Sequence, residues 1–318
     1  MRFDASPMSC PDRLAELAES NLSNPFCTPA YLAYMAGTGA EVWMGGLYEG
    51  SAPVGLSGLF LWRGRLNSTM VIHSLPACAS LPEYWSGLIQ FGRRHGMTQI
   101  DAHSSASPPF TLPPLQQVRS SRERCEHVID LAEYDAGVLH HNHRRNVRRA
   151  EHAGLRITRS ASEPACREHL RLIQLSHIRQ QQRGDILEVG TNLQECMGLC
   201  QHGCAEIFQA EIDGRPLSSV MAMLSTKGAY YKTAGTSPEG MSIGASHFLV
   251  HNIALHLKGK GFSEFNLGGA LPGTSLASFK QRFGARDVPL SAATLYIGAI
   301  WRKKITQLSQ AISNWKDR

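Results

Sequence analysis

The amino-acid sequence predicts an α/β protein of the α+β kind, built from one unit used twice: a mixed, largely antiparallel sheet flanked by helices. Two internal comparisons carry this. AEVWMGGLYEGSAPVGLSGLF (40–60) and AEIFQAEIDGRPLSSVMAML (205–224) share a strand, an acidic-Gly turn at Glu49-Gly50 and Asp213-Gly214, and a second strand. FGRRHGMTQIDAH (91–103) and LKGKGFSEFNLGG (257–269) share a helix end, a glycine at Gly96 and Gly261, and a short strand reaching Asp101 and Asn266. Both matches run at an offset of 164 to 165 residues, and two separate pieces at nearly one offset mark a duplication. The expected division is an N-terminal domain over 1–155 and a C-terminal domain over 156–318 that carries the chemistry.

Each element of the second copy has a local reason. Alternating apolar residues predict hairpin strands over 205–213 and 216–226 and a third strand over 229–236. SHFLVHNIALHL places Phe248, Leu249, Ala254 and Leu257 at helical spacing, so a helix is expected over 246–258, followed by a strand over 262–267. Between the copies, HRRNVRRAEHAG reads as a basic helix and ACREHLRLIQLSHIRQQQ as a longer amphipathic one. Near the C-terminal end, SLASFKQRFG sets Phe279 and Phe283 one turn apart on a core-facing stripe. Lys280 and Arg282 flank that stripe, and Gly284 supplies the left-handed stop.

Composition narrows the function classes. The 318 residues are 42% hydrophobic, with no charged leader and no apolar run of membrane-spanning length, so a soluble cytoplasmic protein is expected. The eight cysteines form no CxxC pair. Cys196, Cys200 and Cys204 recur every fourth residue; three thiols along one helix face cannot surround a tetrahedral metal, and Gly203 is expected to end the helix before Cys204, so they read as small packed residues, and no metal is expected. His247 and His251 have ligand spacing but no carboxylate partner, and read as ordinary helix-face histidines. No GxSxG occurs, which leaves a serine hydrolase without support.

The net charge of +6 is concentrated: over 140–159 six arginines oppose one glutamate, and no lysine occurs before Lys227. Guanidinium groups suit bidentate contact with phosphate or carboxylate, so the cluster suggests an anionic ligand. A solvated helix face is the bland alternative.

The motifs HRRNVRRAEHAGLRI, AYYKTAG, GFSEFNLGG and SFKQRFG, in this order, resemble the FemABX-like branch of the GNAT superfamily. These are tandem GNAT-fold acyl or aminoacyl transferases whose pattern ends in Phe-Lys before Phe-Gly, and the resemblance covers about 40–300. It implies that Lys280 stabilises the charge that develops when an amine attacks an acyl ester or thioester. A preorganised cation at a dry oxyanion is strongly stabilising on physical grounds alone. Phe279 would help exclude water, beside Arg282. Tyr231 reads either as a hydroxyl near the reacting carbonyl or as a core tyrosine. Asn266, Gly268 and Gly269 lie where a strand opens into a loop and a ligand can approach the backbone. Arg144, Arg145, Asn146 and Arg148 match the family's Arg-rich element and would face a phosphate-bearing substrate.

Ordinary GNAT enzymes hold the coenzyme A pyrophosphate on a basic, glycine-rich loop at a helix N-terminus. Here that place reads SPEGMSIGAS (237–246): Gly240 and Gly244 remain, the basic residue is absent, and Glu239 would repel the anion. The expected donor is therefore aminoacyl-tRNA, a co-substrate rather than a cofactor, and the expected acceptor a peptide or cell-wall-precursor-like amine, or another amine-bearing small molecule. An acyl-CoA donor is the alternative, and a non-catalytic nucleic-acid-binding protein a further one. The general base, with Glu239, the three helix histidines, a water or the substrate itself as candidates, and the oligomeric state stay open.

Overall fold

The computed structural model describes residues 1–65, 67–112, 118–120, 124–182 and 191–298. Its first elements are β1 (Arg2–Pro7), α1 (Pro11–Glu19), α2 (Pro29–Gly37), β2 (Glu41–Glu49), β3 (Ala52–Trp62), β4 (Thr69–Ile72), α3 (Pro82–Arg94), β5 (Gln99–His103) and β6 (Val118–Ser120). There follow β7 (Arg124–Asp130), α4 (His141–His152), β8 (Arg156–Ser160), α5 (Glu163–Gln182) and α6 (Leu193–Gln201). The second copy comprises β9 (Ala205–Ile212), β10 (Arg215–Leu224), β11 (Gly228–Thr236), α7 (Pro238–Ile243), α8 (Ala245–Gly259) and β12 (Glu264–Ala270). The described chain ends with α9 (Ser275–Gln281), β13 (Arg286–Leu290) and β14 (Ala292–Tyr296).

The strands form two sheets, ordered β1-β2-β3-β4-β5-β14-β6 and β13-β7-β12-β11-β10-β9-β8. Written from opposite ends, they have the same plan: an antiparallel hairpin (β2–β3, β9–β10), an antiparallel third strand, and a parallel partner reached through a helix. The duplication extends to backbone angles. Gly50 and Gly214 in the hairpin turns have φ +63° and +74°, and Gly96 and Gly261 after the helices have φ +73° and +80°, the left-handed region that glycine enters without cost.

The domain division differs from the expected boundary between 155 and 156. One unit takes Met1–Asn21, Met35–Glu123 and the segment from Pro289; the other takes Leu22–Tyr34 and Arg124–Val288. The reason is strand pairing. β7 enters the second sheet, antiparallel to β12, and β14 returns to the first sheet, antiparallel to β5. α4 then belongs with α8, against which it packs.

In the first unit Tyr84, Trp85 and Leu88 of α3 cover Met70, Ile72, Ile100 and Ala102 of the parallel pair. In the second, Phe248, Leu249, Ile253 and Leu257 of α8 cover Phe208, Val220, Ala229 and Phe265. The expected strands and helix of this copy fall within a few residues of β9 to β12 and α8. The stretch at 238–243, read as loop, is the short helix α7, started by Pro238 and capped by Ser237, whose Oγ accepts from the Gly240 N–H at 3.0 Å. Among the described residues no helix is long and apolar enough to cross a membrane.

Candidate active site

The second unit's parallel pair opens part-way. β11 and β12 are paired at Gly228↔Glu264, Ala229↔Phe265 and Tyr230↔Asn266, and both strands continue beyond that point. Two irregularities accompany the opening. β11 carries an extra residue, Lys232, against β10 between Met221 and Ala222, and β12 shifts register against β7 between Asn266 and Gly269. Bulges of this kind re-aim side chains and end pairing. Gly268 sits in the second one at φ +75°. A Cβ there would lie 3.1 Å from the Tyr231 carbonyl oxygen, 3.6 Å from the Tyr230 hydroxyl and 3.7 Å from Lys280 Nζ.

Lys280 comes to this point from α9, whose N-terminus Thr274 caps by accepting from the Ala277 N–H at 3.2 Å. The helix buries Ala277 and Lys280, and Phe283 just beyond it is fully buried. Lys280, expected to flank the apolar stripe and to face a dry site, is only 5% exposed, inside the fold. Its ammonium donates to the Gly269 carbonyl at 3.0 Å and lies 5.9 Å from the centre of the Tyr231 ring. Burial drives the Tyr231 phenol above its usual range, so it remains a neutral hydroxyl. A buried ammonium beside a strand opening is costly to maintain and strong towards any anion that forms there.

The bulge is held by Glu126, 1% exposed. It accepts from the Tyr230 hydroxyl at 3.0 Å and from Asn266 Nδ2 at 2.7 Å, while Asn266 Oδ1 accepts from the Gly268 N–H at 2.8 Å. Asn266 therefore fixes the backbone that Lys280 reads. Arg124 Nη2 reaches the same Gly269 carbonyl at 3.5 Å.

The structure thus brings together Lys280, Tyr231, Asn266, Gly268 and Gly269. Phe279 packs in an aromatic group with His143, His247 and Phe283, at ring separations of 5.4, 5.2 and 5.1 Å. Its carbonyl is 3.0 Å from His143 Nε2, which ties α9 to α4. Burial holds His143 and His247 down to about 4; Arg282 and His140 add to the shift of His143 against the Phe279 hydrogen bond, and His143 and Arg149 add to that of His247. Arg282 is exposed and lines a shallow cavity of about 340 Å³ with Val138, His140, Ser278 and Gln281.

The α4 arginines do not converge on Lys280 through any bond. Arg144 donates to the Gly137 carbonyl at 3.3 Å, and Arg145 and Arg148 are exposed with no ion pair among the described residues. Asn146 Nδ2 lies 3.3 Å from His247 Nε2. α4 also closes on the start of α8: a Cβ on Gly244 would meet the Asn146 carbonyl oxygen at 2.6 Å. Glu239 is paired with Arg215 at 2.5 Å, and His251 and His256 are bonded to Tyr134 and Arg159. Cys196, Cys200 and Cys204 are buried free thiols, and Cys166 of α5 joins them with its Sγ 3.9 Å from that of Cys200. Among the described residues no group of three or more histidines, cysteines or acids could hold a metal ion.

Sequence reasoning missed Glu126, His127, Tyr230 and Asp287. For Glu126 and His127 the signal was RCEHVID, two adjacent ionisable residues in the middle of a strand.

Residues 139–281 match the family model described as Acetyltransferase (GNAT) domain. FemX is similar over 92% of this chain and 97% of its own, at 11% identity and a TM-score of 0.66. The chain has a tandem GNAT fold. A tandem GNAT protein from the clavulanic acid biosynthesis pathway matches 94% of this chain and 99% of its own at 12% identity and a TM-score of 0.54. L-PGS from Bacillus licheniformis matches 96% and 97% at 13% identity and a TM-score of 0.55. No curated protein matches the sequence. In this tandem GNAT chain the family match covers the helix α4, the opened strand pair and α9 together.

Proposed function

We propose that the second unit transfers an aminoacyl or acyl group onto an amine, forming an amide, with aminoacyl-tRNA as donor and a peptide or other amine-bearing molecule, such as a cell-wall precursor, as acceptor. The carrying observation is the buried Lys280 ammonium at the place where β11 and β12 part, beside Tyr231 and the Gly268 backbone. An acyl carbonyl in that opening would develop its oxyanion against Lys280, and the Tyr231 hydroxyl, kept neutral by burial, can donate to the same oxygen. Phe279 keeps water away. No cofactor beyond the donor enters the reaction.

Two features favour aminoacyl-tRNA over acyl-CoA. The start of α8, where a pyrophosphate would sit, is covered by the Asn146 backbone, and the neighbouring Arg215 is spent on Glu239. Arg145 and Arg148, by contrast, are exposed on a basic helix and available to a polyanion. The test is a parallel donor screen, with charged tRNAs and acyl-CoAs each offered with a labelled peptide amine. Labelling from charged tRNA is expected; labelling from acyl-CoA alone would transfer the proposal to the other donor, and labelling from neither would refute it.

A further inference from the structure

β7 turns His127 to the opposite face of the sheet from Glu126, and its side chain is 1% exposed. Its Nδ1 lies 2.8 Å from Asp287 Oδ1 on β13, and the other oxygen of Asp287 accepts from Gln281 Nε2 on α9 at 2.7 Å. A carboxylate only accepts, so Nδ1 carries the proton and Nε2 presents a lone pair. That nitrogen is buried and has no hydrogen-bond partner among the described residues. Leaving a buried acceptor in this state is costly. A fold that tolerates the cost, and orients the ring with a carboxylate besides, holds a base that awaits a donor.

The surroundings agree with that. Lys280 is the neighbour of Gln281, and α9 packs on β7. Burial holds His127 below its usual protonation range; Asp287 opposes the shift, and the Lys280 charge adds to it. Among the described residues these two are the charged groups that act on the ring, so it is a neutral base at neutral pH. His143 and His247 also have a bare Nδ1, but neither ring is held by a carboxylate.

We infer that His127 is the proton acceptor for the attacking amine, with Asp287 holding its tautomer and Gln281 holding Asp287. The inference rests on acyl transfer at the Lys280 site. The amine nitrogen attacks the carbonyl carbon, the C–N bond forms, and the carbonyl π pair moves to the oxygen that faces Lys280. The new ammonium gives one proton to His127 Nε2, and the imidazolium is stabilised against Asp287. The oxygen pair returns, the C–O bond to the ester breaks, and the leaving oxygen takes the proton from His127. Amine and ester enter, amide and alcohol leave, and the histidine is neutral again. Asp287 and Gln281 are positioning residues, because they act through the ring.

The experiment compares wild type, His127→Asn, Asp287→Asn and Lys280→Met with triglycine as amine acceptor and the donor that gives turnover. His127→Asn is expected to lower kcat/KM by about 10²- to 10⁴-fold and to remove the acid limb of its pH profile. Asp287→Asn should shift the midpoint of that limb. In the unmodified enzyme, ¹⁵N-histidine spectra should show the Nδ1–H tautomer of His127 titrating below 6.5, at the same midpoint as the kinetic limb. That comparison does not depend on any variant folding. A His127→Asn enzyme within about threefold of wild type, or a kinetic limb that does not follow the His127 titration, overturns the inference. If Lys280→Met is impaired in that same experiment, acyl transfer at the site stands; if Lys280→Met also turns over normally, acyl transfer at this site falls with it.

Discussion

The parallel strand pairs of the two units are the same element put to opposite uses. In the first unit β4 pairs with β5 along its whole length, from Thr69↔Gln99 to Ile72↔Ala102, and Met70, Ile72, Ile100 and Ala102 between them are completely buried. In the second, β11 is nine residues long and is paired with β12 at three positions. Where pairing stops, the interior holds Glu126, His127, Asn266 and Lys280 instead of aliphatic side chains. Apolar burial at about 25 cal/mol per Å² stabilises the first arrangement. The second forgoes part of that gain; the Glu126–Asn266–Gly268 network satisfies its own buried polar groups, while His127 Nε2 is left without a partner among the described residues. The duplicated fold thus keeps the parallel pair of one copy closed and lets that of the other part.

The largest expected effect that would break this comparison is on turnover. Lys280→Met keeps the aliphatic stem and removes the charge, so kcat should fall by about 10²- to 10³-fold while acceptor binding changes little. Near-normal kcat in the folded variant would return Lys280 to a packing role. Gly268→Ala should follow, at about 10²-fold, because the new methyl enters the space among Tyr231, Tyr230 and Lys280 and strains a positive φ. Steady-state rates of the two variants, with circular dichroism to check folding, would measure both.

Acid should act on the open unit. His143, His169 and His247, all in it, are held down to about 4 by burial, against about 6.5 in an unfolded chain. The unfolded chain therefore binds more protons below 6.5, so stability is complete above that pH and is lost as pH falls towards 4. The slope approaches about 1.4 kcal/mol per pH unit for each histidine over that window. Urea midpoints at pH 7 and pH 5 check it, and equal midpoints would contradict it.

Smaller effects sharpen the donor assignment. Millimolar coenzyme A should leave the Tm nearly unchanged, whereas a ligand at about 100 times its Kd would add about 2.7 kcal/mol. Clear stabilisation that is abolished by bulky replacement of Gly244 would favour the acyl-CoA donor. Replacing Arg145 and Arg148 with Gln should weaken tRNA binding and reduce its salt slope by about one for each phosphate no longer neutralised. An unchanged slope would make α4 a solvated face.

Much of this architecture was legible in the residues, and the gaps have physical causes. Gly50 and Gly214, or Gly96 and Gly261, announce the repeat because a left-handed turn admits little else. The exchange of β7 and β14 between sheets was not legible, because which sheet a short strand joins is decided by pairing with residues more than a hundred positions away. Lys280 was found through its Phe-Lys motif, because periodicity marks apolar faces and by itself does not register a buried ionisable side chain. His127 and Glu126 were missed for the same reason. Adjacent ionisable residues on a strand point to opposite faces, and here both faces are covered.

The central claim is that the acyl group is handled where β11 and β12 separate. Amide hydrogen exchange with and without the donor identified by the screen tests it most directly. Slower exchange is predicted at 231–236, 267–270 and 278–281, with no change at 69–72 and 99–102. Protection confined to the closed pair of the first unit, or none at the opened pair of the second, would contradict it.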